Sequence, residues 1–215
     1  MNSAEALRQL ILRGGYREGC EEAHRLLGYL ALLEKWNTRI NLTASTDWSA
    51  LGWLFEEALW AARFYPSAPV THLDVGSGAG FPAVPLRILR PAMRLHLVES
   101  RGKRAAFLAT VAADLRLEGT EVVCARVEEF LRGPAVPAFD IVSCKGLKLS
   151  AEAVDLLLAA SRPTTQLWLF HGRTLPLEHA ARARAALRRL RQEHLPGHTA
   201  RSLSIYGVSR ETGST

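Results

Sequence analysis

Ten consecutive residues constrain this chain more than any others: Leu73-Asp74-Val75-Gly76-Ser77-Gly78-Ala79-Gly80-Phe81-Pro82. A short apolar run over 70–75 ends in glycines at alternate positions, and an apolar helical pattern over 81–90 follows directly. Gly76 and Gly78 suit a sharp strand-to-helix turn, and Gly80 lets the helix pack close to the strand. At the carboxyl end of a strand in an open sheet, this is the crevice where nucleotide-type ligands sit. The same rhythm continues along the chain. Strands are predicted over 94–99, 121–125, 138–143, 166–170 and 202–208, and helices over 102–117, 126–132, 150–161 and 176–193. Parallel neighbours need a covering crossover, so the pattern predicts an α/β fold with a doubly wound, mostly parallel sheet. The last strand is the candidate to run antiparallel at an edge.

Before the loop the spacing is helical. Leu7, Leu10 and Ile11 mark a helix over 3–13, and Leu26, Leu27, Leu30, Leu33 and Trp36 mark another over 20–38, with Gly14-Gly15 between them. A third apolar helix spans 48–64 and stops before Pro66. The expected organisation is an N-terminal helical cap over 1–65 and a sheet domain over 66–215.

Composition excludes several classes. Apolar residues make up 48% of the chain and charged residues 22%, ordinary for a soluble globule and far from a disordered chain. No apolar run reaches the roughly 18 residues of a membrane span. MNSAEALRQL lacks a basic start followed by an apolar core, so the expectation is a cytoplasmic protein. Cys20, Cys124 and Cys144 are too scattered for a disulfide framework or a zinc site. His194 and His198 have a ligand-like gap, yet nothing nearby completes a site, so no metal is expected. Nothing points beyond a monomer. The formal charge of +6 is concentrated after residue 160, where nine arginines face Glu178, Glu193 and Glu211. An asymmetry of that kind suggests a polyanion such as nucleic acid, with Arg188, Arg189 and Arg191 as candidate contacts; a solvated helix face is the alternative.

The loop narrows the ligand. A dinucleotide fingerprint reads GxGxxG, but here the third glycine comes one residue early and Phe81 takes its place. What remains is an acid-x-Gly-x-Gly-x-Gly pattern, which resembles the first motif of the S-adenosylmethionine-dependent methyltransferases. A dinucleotide presents an anionic pyrophosphate to the helix N-terminus. S-adenosylmethionine carries a sulfonium and an ammonium, which accept a carboxylate such as Asp74 at the loop entrance. Glu99 ends the second strand 21 residues after Gly78, where an acid accepts ribose hydroxyls. Arg126 and Glu128 follow the third strand, either beside the adenine or as a surface ion pair. After the fourth strand stand Cys144, Lys145 and Gly146. Cys144 reads as a buried thiol rather than a nucleophile, since it lacks a proline setting. An acceptor with an unprotonated lone pair, such as guanine N7, needs neither a base nor a nucleophile, because positioning supplies most of the acceleration. Lys145 is a candidate catalytic group, approaching O6 or a phosphate, with an ordinary loop lysine as the alternative.

Several stretches together resemble the glucose-inhibited division protein B family, the 16S rRNA guanine-N7 methyltransferases. They are Trp36-Asn37 with Asn41-Leu42-Thr43, the loop from Asp74 to Pro82 with Pro85-Leu86, Leu97-Val98-Glu99-Ser100 with Lys103-Arg104 and Phe107-Leu108, and Arg126 with Glu128. The likeness covers about residues 25–172. It implies a class I, Rossmann-like methyltransferase that uses S-adenosylmethionine to modify a guanine in a functional loop of 16S rRNA, presented on naked RNA or a small ribosomal subunit. By resemblance, Gly76, Gly78 and Gly80 belong at the methionine moiety, Glu99 at the ribose and Val127 with Glu128 beside adenine, with Phe81 a further cofactor candidate. Asn41, a second catalytic candidate, and Thr43 belong near the acceptor entrance, and Arg126 and Lys145 are further candidate RNA contacts.

The departures fall on the acceptor side. Ser-Arg-Ala of the family stands as Cys144-Lys145-Gly146, Lys-Gly as His171-Gly172, and His-x-x-Asp-Ser-Leu as Leu54-Phe55-Glu56-Glu57-Ala58-Leu59. Lysine keeps the charge of arginine without its planar fork. Three functions therefore stay open: an rRNA guanine-N7 methyltransferase, a diverged relative acting on another RNA or a small molecule, and a non-catalytic protein that binds S-adenosylmethionine and RNA.

Overall fold

The computed structural model describes residues 2–134, 136–173 and 186–208. The chain opens with α1 (Ser3–Arg13), α2 (Glu21–Asn37) and α3 (Trp48–Ala61), then a single 3-10 turn over Ala62–Phe64. Asn2 caps α1 by accepting the Glu5 N–H at 2.8 Å, an orphan donor of the first turn. Strand and helix then alternate: β1 (Thr71–Val75), α4 (Ala83–Leu89), β2 (Arg94–Val98), α5 (Gly102–Asp114), β3 (Thr120–Val123), α6 (Val127–Leu131), β4 (Ile141–Lys145), α7 (Ala151–Ala160) and β5 (Gln166–His171). The described chain closes on β6 (Leu187–His194) and β7 (Ser202–Val208). Among the described residues no helix is long and apolar enough to cross a membrane.

The strands form one sheet in the order β3-β2-β1-β4-β5-β7-β6. The first five are parallel, and β7 runs antiparallel to β5 and to β6. The chain moves outward on one side of β1 and then crosses to β4 on the other. The ends of β1 and β4 therefore bound the switch point where such sheets hold ligands. The antiparallel strand foreseen for the chain's end is β7, yet it lies inside the sheet, with β6 at the edge.

Two apolar layers cover the sheet. On one face Leu73, Val75, Val142, Cys144, Leu167 and Leu169 pack under α6 and α7. On the other, Leu95, Leu97, Ile141, Trp168 and Phe170 join residues of α1, α2, α3, α4 and α5 in a single cluster. The cap helices thus share their core with the sheet. Because side chains alternate along a strand, His72 and Asp74 of β1, with Ser143 and Lys145 of β4, fall on this second face. They form a polar stripe inside an apolar layer.

One element differs from the sequence reading. The helix expected over 176–193 falls partly on residues 174–185, which lie outside the described residues, but 187–194 is strand β6. Each of its residues from Leu187 to His194 except Leu190 pairs with β7, with a register shift between Arg189 and Arg191. That irregularity breaks the two-residue period that would have marked a strand, and Leu187 with Leu190 mimics helical spacing instead. Arginines on an exposed edge also discourage pairing with another sheet.

Candidate active site

The glycine loop closes on backbone bonds. The Gly76 and Ser77 N–H groups donate to the Val98 carbonyl at 2.9 and 3.2 Å, tying the loop to the end of β2. Gly76, Gly78 and Gly80 all have positive φ, at 70°, 56° and 94°. At Gly80 the requirement is also steric, since a Cβ would stand 2.7 Å from Val84 Cγ2 and 3.1 Å from Leu108 Cδ2. Glu99 braces the turn: its Oε2 accepts the Gly78 N–H and its Oε1 the Arg101 N–H, both at 2.8 Å. Each carboxylate oxygen keeps a lone pair for a further donor.

Above this loop lies a cleft of about 690 Å³. Gly76–Ala79 line one side, Glu99–Arg101 and Ala125–Glu128 another, and Lys145–Ser150 a third; Leu42, Thr43 and Leu54 reach it from the cap. Of the predicted cofactor residues, Gly76, Gly78, Phe81, Glu99, Val127 and Glu128 border the cleft, and Arg126 stands among them. Phe81 is also wedged against Tyr29 and Phe55, with ring centroids 5.2 and 5.0 Å apart, and the Tyr29 hydroxyl donates to the Ala79 carbonyl at 2.5 Å. Glu128 accepts from the Ser150 hydroxyl at 2.7 Å, and that bond holds its carboxyl below the usual carboxylate range.

Asp74 is placed differently from the expectation. Its side chain is only 2% exposed and lies beneath the loop rather than on the cleft wall. The carboxylate accepts from the Ser143 hydroxyl. Ser143 Oγ is 2.7 Å from His72 Nε2, and His72 Nδ1 is 2.9 Å from the Tyr65 hydroxyl. Burial pushes the Asp74 carboxyl up to about 6 and the His72 imidazole down to about 3. Cys144 is a buried thiol, pushed up to about 12 by burial, and it donates to the Leu147 carbonyl.

Lys145 ends β4 at the cleft, where its ammonium forms an ion pair with Glu57 of α3. The same ammonium lies 4.3 Å from the centroid of the Trp53 ring, and the Arg201 guanidinium is 3.1 Å from that ring. Burial draws the Lys145 amine below the usual lysine range, and the Glu57 charge opposes that. Glu57, Trp53 and Arg201 were not among the predicted residues. The available signal was an acid embedded in the apolar helix Trp48–Ala61, and one helix alone does not say which cation it meets. Arg101, Arg104 and Lys148 were likewise missed as cations on the cleft rim.

Asn41 stands just outside the cleft wall, and its carbonyl accepts from Arg104 Nη2 at 2.9 Å, while Thr43 reaches the cleft. Arg188, Arg189 and Arg191 are exposed on edge strand β6. Three strand spacings separate β6 from β4, roughly 14 Å. Through β7 and β5, Arg188 aligns with Gly207, Gln166 and Ile141, at the opposite end of the sheet from Lys145. Arg191 lies over the Phe64 ring at 5.1 Å.

Comparison with known proteins bears on this geometry. Residues 22–205 match the family described as rRNA small subunit methyltransferase G. The chain is 38% identical over 184 residues to the ribosomal RNA small subunit methyltransferase G of Roseiflexus sp. (strain RS-1), covering 82% of this chain and 76% of that protein. It is 29% identical over 233 residues to the protein of that name from Streptococcus agalactiae serotype III, covering 97% and 92%. Among solved structures, a SAM dependent methyltransferase from Aquifex aeolicus superposes with a TM-score of 0.57 at 15% identity, covering 84% of this chain and 98% of the other. MtNAS in complex with MTA and tNA gives 0.58 at 15%, covering 86% and 72%. These structural likenesses speak for the fold.

Proposed function

This chain belongs to the rRNA small subunit methyltransferase G family, and from that premise we propose that it transfers a methyl group from S-adenosylmethionine to N7 of a guanine in 16S ribosomal RNA. The observation that carries the cofactor assignment is Glu99, which braces Gly78 and Arg101 while facing a cleft at the switch point of the sheet. Its remaining lone pairs suit two ribose hydroxyls. Ala125–Glu128 offer a wall for adenine, and the loop over Gly76–Ala79 offers N–H groups for a carboxylate. When bound, S-adenosylmethionine supplies an electrophilic methyl group.

The chain's own residues then have a limited task. Guanine N7 holds an unprotonated lone pair, so no side chain must remove a proton, and alignment of the two partners does most of the work. Lys145, held by Glu57, is the catalytic candidate: its ammonium has N–H donors left for guanine O6 or a neighbouring phosphate. Thr43 and Asn41 flank the acceptor entrance, and the Asn41 carbonyl steadies Arg104 on the rim. Arg101, Arg104, Arg126 and Lys148 set a basic border suited to phosphates. Arg188, Arg189 and Arg191 extend that contact to a more distant part of an RNA as large as 16S rRNA, free or in a small ribosomal subunit. The protein acts as a monomer in the cytoplasm.

The test is transfer of labelled methyl groups from S-adenosylmethionine to small subunits from a strain lacking this protein, with the modified base mapped. Label at N7 of one guanine, abolished by Glu99→Ala, is expected. Absence of label on any RNA, with cofactor binding intact by calorimetry, would overturn the enzymatic assignment.

A further inference from the structure

The polar stripe under α3 has a fixed internal logic. Ser143 Oγ carries one proton and touches both the Asp74 carboxylate and His72 Nε2. An ionised carboxylate only accepts, so Ser143 donates to Asp74 and must accept from the His72 Nε2–H. Neutral imidazole with a proton on Nε2 has a bare Nδ1, and the Tyr65 hydroxyl stands 2.9 Å from it. Three donors thus point in one direction and end on Asp74. All four groups are buried. If Asp74 takes up a proton, it donates back to Ser143, Ser143 donates to His72, and the chain reverses without moving a heavy atom. The site therefore accommodates both forms of the carboxyl group.

We propose that Ser143 and His72 are positioning residues for cofactor binding, holding Asp74 as an anion beneath the loop so that the cationic cofactor binds over a buried negative charge. This rests on the assignment of S-adenosylmethionine to the cleft. Asp74 is next to the loop that lines the cleft, and its conformation is tied to that loop by the Ser77 hydroxyl, which donates to the Asp74 carbonyl at 3.0 Å. Other ionisable groups face it from every side: Lys145 and Cys144 on β4, Glu99 at the end of β2, Tyr29 on α2, and Glu57 on α3 through its pairing with Lys145. Burial sets the midpoint of Asp74 near 6, with Ser143 opposing the rise. Within this chain, then, affinity for a cation above the loop falls as pH drops through that midpoint.

The experiment is calorimetry of S-adenosylmethionine binding between pH 5.5 and 7.5. With a midpoint near 6, one linked proton weakens wild-type binding about fourfold over that range. Ser143→Ala removes a charge-assisted bond worth about one pH unit, which steepens the loss to roughly 25-fold. His72→Gln retains an N–H for Ser143 and an oxygen for Tyr65, so its profile follows the wild type and excludes the imidazole as the titrating group. Asp74→Asn binds weakly and loses this step, separating Asp74 from Glu99 and Lys145. Titration of the cofactor itself is common to all four proteins and cancels. A Ser143→Ala profile parallel to the wild type, or an unchanged step in Asp74→Asn, overturns the proposal. If Ser143→Ala does not fold, the carbon-13 shift of the Asp74 carboxyl in the wild type decides: a midpoint below about 4, that of an ordinary carboxyl, refutes it. Wild-type binding that is tight but independent of pH sinks this inference alone, whereas no binding at any pH sinks the cofactor assignment.

Discussion

Substituting Lys145 by methionine separates a structural lysine from a catalytic one. The Glu57 side chain is 4% exposed and that of Lys145 18%, so the pair lies almost wholly out of water. Lys145→Met keeps much of the aliphatic volume but leaves the Glu57 carboxylate, buried on the apolar helix α3, without its countercharge. Breaking such a pair from one side costs about 3–5 kcal/mol. The partial exposure of Lys145 argues for the lower end, about 3 kcal/mol, or a fall in Tm of roughly 6–12 °C for a chain of this size. The double variant Glu57→Gln/Lys145→Met has no orphan charge, so it should recover about 2 kcal/mol of that loss as pairwise coupling. Thermal and urea unfolding of the wild type, both single variants and the double variant measure this directly. A Lys145→Met protein within about 0.5 kcal/mol of wild type, or additive single effects, would refute the buried-pair reasoning. Methyl transfer by the double variant completes the assignment. If it is stable yet inactive, Lys145 acts on the acceptor; if activity returns with stability, the lysine serves only to neutralise Glu57.

Four other outcomes are expected. Glu99→Ala loses the acceptor of the Gly78 and Arg101 N–H groups, at about 1.5–3 kcal/mol per charged bond; calorimetry should find affinity for S-adenosylmethionine down at least about 100-fold, and a change under fivefold would remove Glu99 from the cofactor site. Gly80→Ala forces a side chain into positive φ and against Val84 and Leu108, costing about 2–4 kcal/mol by urea unfolding; an unchanged midpoint would mean the loop is not tightly packed. Replacing Arg188, Arg189 and Arg191 together by alanine should leave cofactor affinity alone and flatten the log–log salt dependence of RNA binding by about 2–3, whereas an unchanged slope would remove β6 from the RNA interface. His72 is held near 3 when folded, so its contribution is present above its unfolded midpoint of about 6.5 and drains away as pH falls toward 3, reaching about 2 kcal/mol lost at pH 5. His72→Gln should therefore lose that much less stability than wild type between pH 7.5 and 5 in urea titrations, with Asp74 acting alike in both proteins, and equal acid sensitivity would contradict a buried neutral imidazole.

The glycine loop, the acid at the end of the second strand and the alternation of strands and helices are local features. Each depends on residues close together in the chain, on backbone angles that glycine permits, and on burial patterns of period two or 3.6. They sufficed to anticipate the parallel sheet and the placement of Gly76, Gly78 and Glu99 at a cleft beside it. Residues 187–193 were misread because a bulged edge strand lacks the two-residue period, and their β structure exists only by pairing with β7, which local spacing does not encode. Asp74 was located in sequence as the acid that opens the motif. Which way its side chain faces follows from the pleat of β1, and what it meets follows from the register that sets Ser143 opposite it on β4. Glu57 and Lys145 are 88 residues apart, and each alone looks like a polar residue misplaced in an apolar element. Only the packing of α3 over the sheet brings the two charges together, because a charge can stay buried where a distant segment supplies its counterpart.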